Sequence, residues 1–331
     1  MLRSSIRRIG ERALIGYVVR RILALLPTLF FASIIVFVTV RLIPGDVIDI
    51  MMSQNDMGAD SKTREELVAA LGLDKPMWEQ YWVWIGRIVL HGDLGQSLWH
   101  SSSVWDEIAK RLPVSAELGV MAMIFALVIA LPVGVYSAVR QDTTGDYVTR
   151  SVSILMLAVP SFWIGTMVMV FPSIWWGWSP PIDFVRFSDE PLRNLQQMLL
   201  PSIVLGMGLS AVTMRMTRTM VLEVLRQDYI RTAWAKGLDE RLVVMRHALR
   251  NALIPVVTLV GLQAPLLIGG AVIIEQIFVI PGMGLMLLDA VNQRDYPIIT
   301  GVFLIVGVGV MLINLLVDLS YGLLDPRVRN R

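Results

Sequence analysis

The sequence predicts an all-α polytopic membrane protein with six transmembrane helices. Three observations carry that expectation. Hydrophobic residues make up 55% of the 331-residue chain and charged residues only 17%, a balance displaced from that of soluble domains. Six apolar runs, each about as long as a helix needs to cross ~30 Å of hydrocarbon, contain no Asp, Glu, Lys or Arg. Basic residues concentrate in alternate connections between those runs, which is the pattern that orients a polytopic chain.

The first run, residues 22–40, ends in Arg41, Leu42, Ile43, Pro44, Gly45 and Asp46 rather than in a small-residue cleavage site. It is therefore expected to be a retained anchor and not a signal peptide. The second and third runs, residues 118–139 and 152–171, hold Pro132 and Pro160, and proline is tolerated in membrane helices. Residues 198–214, 252–274 and 298–317 supply the fourth, fifth and sixth. An even number of spans puts both termini on one side. With Arg41 and the long loop that follows it set aside, nineteen basic residues fall in the N-terminal segment, residues 140–150, residues 215–251 and the C-terminal tail. The opposite connections hold only Arg186, Arg193 and Arg294, so both termini are expected to be cytoplasmic.

Several function classes are excluded or disfavoured. There are no cysteines, which removes a disulfide framework, thiolate metal sites and a cysteine nucleophile. None of the four lysines follows a glycine, so the chain has no phosphate-binding loop of its own. A net charge of +2 makes no electrostatic case for nucleic acid. His91, His100 and His247 are scattered over loops, against a shared metal site. The apolar runs lack the ionisable residues that mark ion or proton coupling, and Gln263 and Asn314 are expected to act as helix-packing glue. Gly206, Gly208, Gly269, Gly270, Gly307 and Gly309 mark either close helix approach or a pore. No catalytic, cofactor or metal site is expected here, and energy for uphill work must come from another polypeptide.

The segments outside the runs have their own punctuation. Residues 2–14 interleave Arg3, Arg7, Arg8 and Arg12 with apolar residues at helical spacing, the pattern either of a helix lying on an anionic leaflet or of a basic tail that enforces topology. In the long external loop, helices are expected over residues 65–71, closed by Gly72, and 77–90, closed by Gly92, with Pro76 at the second start. Trp78, Tyr81, Trp82 and Ile85 share one helical face. That stripe either packs on the membrane or neighbouring helices, or docks an external protein. Trp175, Trp176 and Trp178 read as an interfacial belt.

The connection between the fourth and fifth runs is too long for a turn and rich in alternating charge. Asp228 is expected to cap a helix that continues through Lys236, and Gly237 to supply a left-handed stop. Asp239 or a neighbour then starts a second helix through Glu240 and Arg241 to Arg250. The result is a surface knob; an amphipathic interfacial hairpin fits the same spacing.

Here the chain resembles the membrane-spanning permease subunits of binding-protein-dependent ABC importers, specifically the first of the two paralogous permeases of dipeptide, oligopeptide and nickel systems. The stretch from Asp228, Tyr229, Ile230, Arg231 and Thr232 through Ala233, Trp234, Ala235, Lys236, Gly237 and Leu238 is similar to that family's cytoplasmic EAA loop in its peptide-importer form. Residues 246–256, 41–46, 71–76, 92–97, 160–163, 278–284 and 324–327 are similar to further motifs of the branch, in the same order and spacing. The chain departs from the general pattern at Arg231 and Thr232, where Glu-Ala is usual, at Arg250, where proline is usual, and at Trp234, whose position is usually smaller or charged.

The resemblance implies a type I ABC importer (MetI-like) permease fold and a non-catalytic subunit of the bacterial inner membrane. It divides the chain into a basic segment and first helix (residues 1–45), an external loop (46–111), a five-helix permease core (112–325) with a coupling loop at 223–251, and a tail (326–331). The implied partners are a paralogous second permease, two cytoplasmic ATPases that bind the ATP and magnesium, and an extracytoplasmic solute-binding protein. Asp228, Tyr229, Arg231, Thr232, Ala233, Trp234, Lys236 and Gly237 are carried over as the ATPase-coupling residues, with Ala233 expected at a close docking surface. Trp234 is either an ATPase contact or a residue packed on the loop's second helix. Di- or oligopeptides are the expected cargo, with nickel chelates, opines, glutathione or sugars as alternatives. A secondary transporter or channel working without ATPases is opposed by the charge-free spans, and an intramembrane enzyme by the missing acid, base and metal groups.

Overall fold

The computed structural model describes residues 2–42, 48, 64–65, 68–69, 72–100, 102–178, 181 and 183–324, with the side chains of 2–19 and 318–324 excepted. Its helices are α1 (Leu2–Arg41), α2 (Met77–His91), α3 (Val104–Val139), α4 (Thr144–Ala158), α5 (Ser161–Trp176), α6 (Pro191–Leu225), α7 (Asp228–Ala235), α8 (Glu240–Phe278), α9 (Met283–Gln293) and α10 (Tyr296–Leu324). Among the described residues no strand forms beyond an isolated bridge between Gln96 and Ser103. Among the described residues five helices are long and apolar enough to span a bilayer, and α4 with α5 passes the same test only as a pair, with the geometry of a broken span or a re-entrant loop.

That bend corrects the expectation of an ordinary third span. The axes of α4 and α5 differ by 93°. Pro160 has no N–H to continue the ladder of α4, and it forces its predecessor out of the helical region. Val159 is accordingly extended (φ −93°, ψ 123°), and Pro160 becomes the residue from which α5 starts afresh. Pro132, by contrast, lies inside the unbroken α3. The N-terminal residues continue the helix of the first span rather than forming a separate element. Residues 64–65 and 68–69 are helical and Gly72 has φ +65°, but the rest of the expected 65–71 helix lies outside the described residues.

The chain divides into two compact units. The first comprises Met1–Ile15, Pro113–Gly284 and Ile313–Arg331. Helix α6 is its centre, with most of its apolar stretch buried. Leu118, Ala122 and Ala126 repeat at i, i+4 along α3 and meet Leu205 and Leu209 of α6 and Leu267, Ala271 and Ile274 of α8 in one core. Alternating large and very small side chains bring the backbones close, which is how membrane helices gain packing energy when lipid is as apolar as their own surface. Gly206 marks the tightest approach of α6 to α3: a Cβ there would stand 2.5 Å from the Ala122 carbonyl oxygen. At Gly134 an added Cβ would stand 2.7 Å from Thr217 Cβ. Gly208 and Gly269 have open space around them, so the sequence's glycines divide into contacts and non-contacts.

The second unit comprises Gly16–Leu112 and Leu285–Leu312. Here α2 packs on α1: Tyr81 is buried, its ring edge-on to Phe37 at 5.5 Å, and its hydroxyl lies 2.9 Å from Ser33 Oγ. Helix α2 ends at Gly92 in the left-handed conformation (φ 64°), as the sequence predicts. The α2–α3 connection is stitched to the α9–α10 corner. Ser97 Oγ donates to Asp295 Oδ2 (2.5 Å), Trp99 Nε1 donates to the Gln293 carbonyl (2.9 Å), and the backbone N–H groups of Trp99 and His100 donate to Ser97 Oγ.

The packing account makes a specific demand on α6. Gly206→Val is expected to destabilise the protein by about 1–3 kcal/mol through overpacking against backbone that has nowhere to go. Gly208→Ala should leave stability unchanged or raise it slightly. Thermal midpoints of the detergent-purified protein, followed by size-exclusion chromatography after heating, measure both; equal midpoints for the Gly206 variant and the parent would remove the α3–α6 contact as a stability determinant.

Candidate functional site

Helix α6 leaves the apolar core and runs on to Leu225, where the chain turns through Arg226 and Gln227 into α7. Gln227, not Asp228, occupies the N-cap position, and no side chain caps the helix. Asp228 is the first helical residue, solvated, and 3.5 Å from Arg231 one turn on. Its carboxylate suits the positive end of the helix dipole without making a capping bond. Thr232 Oγ1 donates back to the Asp228 carbonyl (3.0 Å).

Helix α7 divides into two faces. Ile230 and Ala233 are buried against Val243 and Ala248 at the start of α8, with Val224 and Leu225 beside them. This corrects the expected place of Ala233: its small side chain fits the seam between the two arms of the knob, not an outer docking surface. Arg231, Thr232, Trp234, Lys236 and Leu238 are exposed. Trp234 is 43% exposed and lies outside the seam, on the outer face. Tyr229 accepts a hydrogen bond through its hydroxyl from Asn251 Nδ2 (2.8 Å), a second tie between α7 and α8.

The corner is built as the residues suggest. Gly237 has φ +74°, a conformation that costs an L side chain energy. The Leu238 N–H reaches back to the Ala233 carbonyl (3.4 Å), closing the end of α7. Asp239 then caps α8, with Oδ2 accepting from the Arg241 N–H (3.1 Å). From there α8 continues without a break into the fifth span, through a π-helical stretch at Val243–Ala248. On the other side of α8, a groove of about 810 Å³ separates Asp239–Met245 from Pro132 and Tyr136 of α3 and from Arg140 just after it. The seam with α7, together with Val224 and Leu225 of α6, packs the opposite side of this stretch.

Two buried carboxylates of the first unit are not evident from the sequence. Asp146, on the first turn of α4, is fully buried. Its Oδ1 accepts from Ser137 Oγ of α3 and from Arg218 Nε of α6 (2.9 Å), and its Oδ2 accepts from Arg218 Nη2 (2.8 Å) and the Asp142 N–H (3.1 Å). The fork of Arg218 matches both carboxylate oxygens, the geometry in which such a pair is strongest. Three helices meet at this carboxylate close to where α6 leads into the knob. Thr143 Oγ1, accepting from the Asp146 N–H, was the one local signal, a capping pattern visible in Thr-x-x-Asp.

The second is Glu275, one residue beyond the expected fifth span and fully buried. Its Oε1 accepts from Ser115 Oγ (2.5 Å) and its Oε2 from the Gly284 N–H (2.7 Å), while Ser115 Oγ accepts from the Met283 N–H (2.8 Å). The carboxylate thereby satisfies donors at the start of α9. Side chains at Gly282 or Gly284 would collide with it, which accounts physically for the Pro-Gly-Met-Gly run from Pro281.

Residues 130–330 match the family of binding-protein-dependent transport system inner membrane components, and residues 14–119 match the N-terminal region of such components. The chain belongs to this family. As a permease of the inner membrane it is 40% identical over 341 residues to the dipeptide transport system permease protein DppB of Escherichia coli strain K12, covering 96% of this chain and all of that one. It is 40% identical over 338 residues to the di/tripeptide transport system permease protein DppB of Pseudomonas aeruginosa strain UCBPP-PA14, with the same coverage. The glutathione transport system permease protein GsiC of Escherichia coli strain K12 is 36% identical over 316 residues, covering 96% of this chain and 99% of that one. Among the described residues of the permease no group of three or more His, Asp or Glu is placed to hold a metal. The motif residues 43–46, 71 and 325–327 lie outside the described residues.

The node at Asp146 can be tested apart from transport. Arg218→Ala leaves a buried carboxylate with only neutral donors and is expected to cost about 3–5 kcal/mol. Adding Asp146→Asn to it should recover part of that loss. A double-mutant cycle on thermal midpoints reads the coupling directly; strictly additive losses would show that the pair does not hold α4 to α6.

Proposed function

We propose that this permease imports di- or oligopeptides, pairing with a paralogous second permease above two ABC ATPases and receiving its cargo from an extracytoplasmic binding protein. The single observation that carries the cargo is near-full-length identity of 40% to permeases of a dipeptide system and a di/tripeptide system. The likeness to a glutathione permease supports the same chemical class, since glutathione is a modified tripeptide, and makes it the second reading. Hydrolysis of ATP belongs to the partner subunits in this proposal, because the chain carries no phosphate-binding loop of its own. The basic residues of 215–251 and of both termini support a cytoplasmic position for those segments.

The knob formed by α7 and the start of α8 is the coupling element. Its exposed residues, Arg231, Thr232, Trp234, Lys236 and Leu238, meet an ATPase, while Ile230 and Ala233 lock α7 to α8. Because α8 continues unbroken from the knob into the fifth span, displacement of the knob moves a membrane helix directly. Alternating access then follows which arrangement the nucleotide favours.

Two substitutions separate the roles of corner and face. Gly237→Ala, which strains a left-handed residue by about 1 kcal/mol or more, is expected to leave the protein inserted and to lower ATP-driven uptake of a radiolabelled dipeptide at equal expression. Trp234→Ala is expected to reduce co-purification of the ATPases without reducing the yield of folded permease. Normal uptake by the first variant and normal ATPase recovery with the second would refute the coupling assignment. Transport of dipeptide by this chain alone, with no ATPase present, would refute the importer.

A further inference from the structure

Helix α2 belongs to the connection between the first two spans, which the sequence reads as a loop outside the membrane. Its contacts put it elsewhere. The charge-free run at 22–40 is about 28 Å long as a helix, close to the ~30 Å thickness of bilayer hydrocarbon. Ser33 then lies only about 3 Å past the midpoint of that run at 1.5 Å per residue. Yet Ser33 Oγ and the buried Tyr81 hydroxyl are 2.9 Å apart. Phe37, also inside the run, touches the rings of both Tyr81 and Trp84 at 5.5 Å. Helix α2 is therefore seated along the second half of the first span, below its polar end at Arg41.

Among the described residues, nothing covers the other side of α2. Trp78 is 67% exposed, Trp82 57% and Val89 73%, and at 100° per residue these three form one stripe beside the packed face. Gln80, Arg87 and His91 fall on the opposite side of the helix. At the same depth, α1 itself exposes Phe31 and Ile35 on the side turned away from α2, the apolar surface a membrane span shows to lipid. Water is excluded at that level. The buried hydroxyls fit the same environment: Ser33 Oγ donates to the Phe30 carbonyl (2.7 Å) and faces Tyr81, so neither is left unsatisfied in hydrocarbon.

We infer that Trp78, Trp82 and Val89 form a lipid-facing surface, embedding α2 among the acyl chains of the leaflet in which the first span ends, with Arg87 and His91 turned toward headgroups and water. The partner of this surface is the bilayer, not the solute-binding protein. Tryptophans with a polar helix edge suit that boundary. The inference rests on α1 being a span and on nothing about cargo or coupling.

The absence of cysteine makes the test direct. Single Trp82→Cys and Val89→Cys variants of the full-length chain, with His91→Cys for comparison, are labelled with a nitroxide and reconstituted in phosphatidylethanolamine and phosphatidylglycerol vesicles. Power saturation compares collision with oxygen, which partitions into hydrocarbon, and with a water-soluble nickel chelate. Labels at 82 and 89 are expected to meet oxygen severalfold more often than the chelate, and the label at 91 the reverse. Chelate collision equal to or above oxygen collision at 82 and 89 overturns the inference in favour of an aqueous face. Immobilised labels that meet neither reagent overturn it in favour of a protein cover. Val89→Cys, the milder change, decides the matter if Trp82→Cys lowers the yield. The readout needs no transport, so its failure is distinct from failure of the importer reading.

Discussion

The arrangement of the first unit depends on one buried carboxylate. Asp146 has given up its water to receive four hydrogen bonds from three directions, two of them from Arg218. An unpaired carboxylate in such a place costs several kcal/mol, so α3, α4 and α6 have little freedom to separate at this end. The constraint matters because the same end of α6 carries the knob. If the three helices were free to slide, motion imposed on α7 would dissipate between them. Held at one node, they give α7 a fixed base, with an open groove on the far side of α8.

Within the bundle the opposite device operates. Ala122, Ala126, Gly134 and Gly206 bring α3 and α6 together by removing side-chain volume, and no charge is needed. Polar attachment at the ends and bare backbone contact in the middle follow from the surroundings. Hydrocarbon penalises an unsatisfied polar group, whereas the membrane boundary tolerates a well-paired one.

Much of this was legible in the sequence because its signals are local. Charge-free runs locate the spans, a glycine after a helical stretch locates the stops at Gly92 and Gly237, and Asp239 declares the cap it makes. What remained hidden depends on partners distant in the chain. Arg218 looked like one more cytoplasmic basic residue, since nothing near it announces Asp146. Glu275 sat just past an apolar run and passed for its polar border. At Ala233 a small residue suits any close contact, and only the fold says that the contact is the seam with α8. Pro160 was a question of degree: Pro132 is absorbed in α3 while Pro160 turns its helix by 93°, and composition does not distinguish them.

The π-helical stretch at Val243–Ala248 gives α8 a particular mechanical character. A turn closed by i to i+5 bonds takes in roughly one residue more than an α turn, which offsets the angular phase of everything before it by about 100°. Glu240 and Arg241 therefore do not point where an ideal helix extrapolated back from the fifth span would aim them. The rod is continuous along its axis, but its two ends are indexed separately in rotation. The residues before Val243 are free to be chosen for the angle at which α7 is presented, and those after Ala248 for the angle at which the span meets its neighbours, without either choice dictating the other.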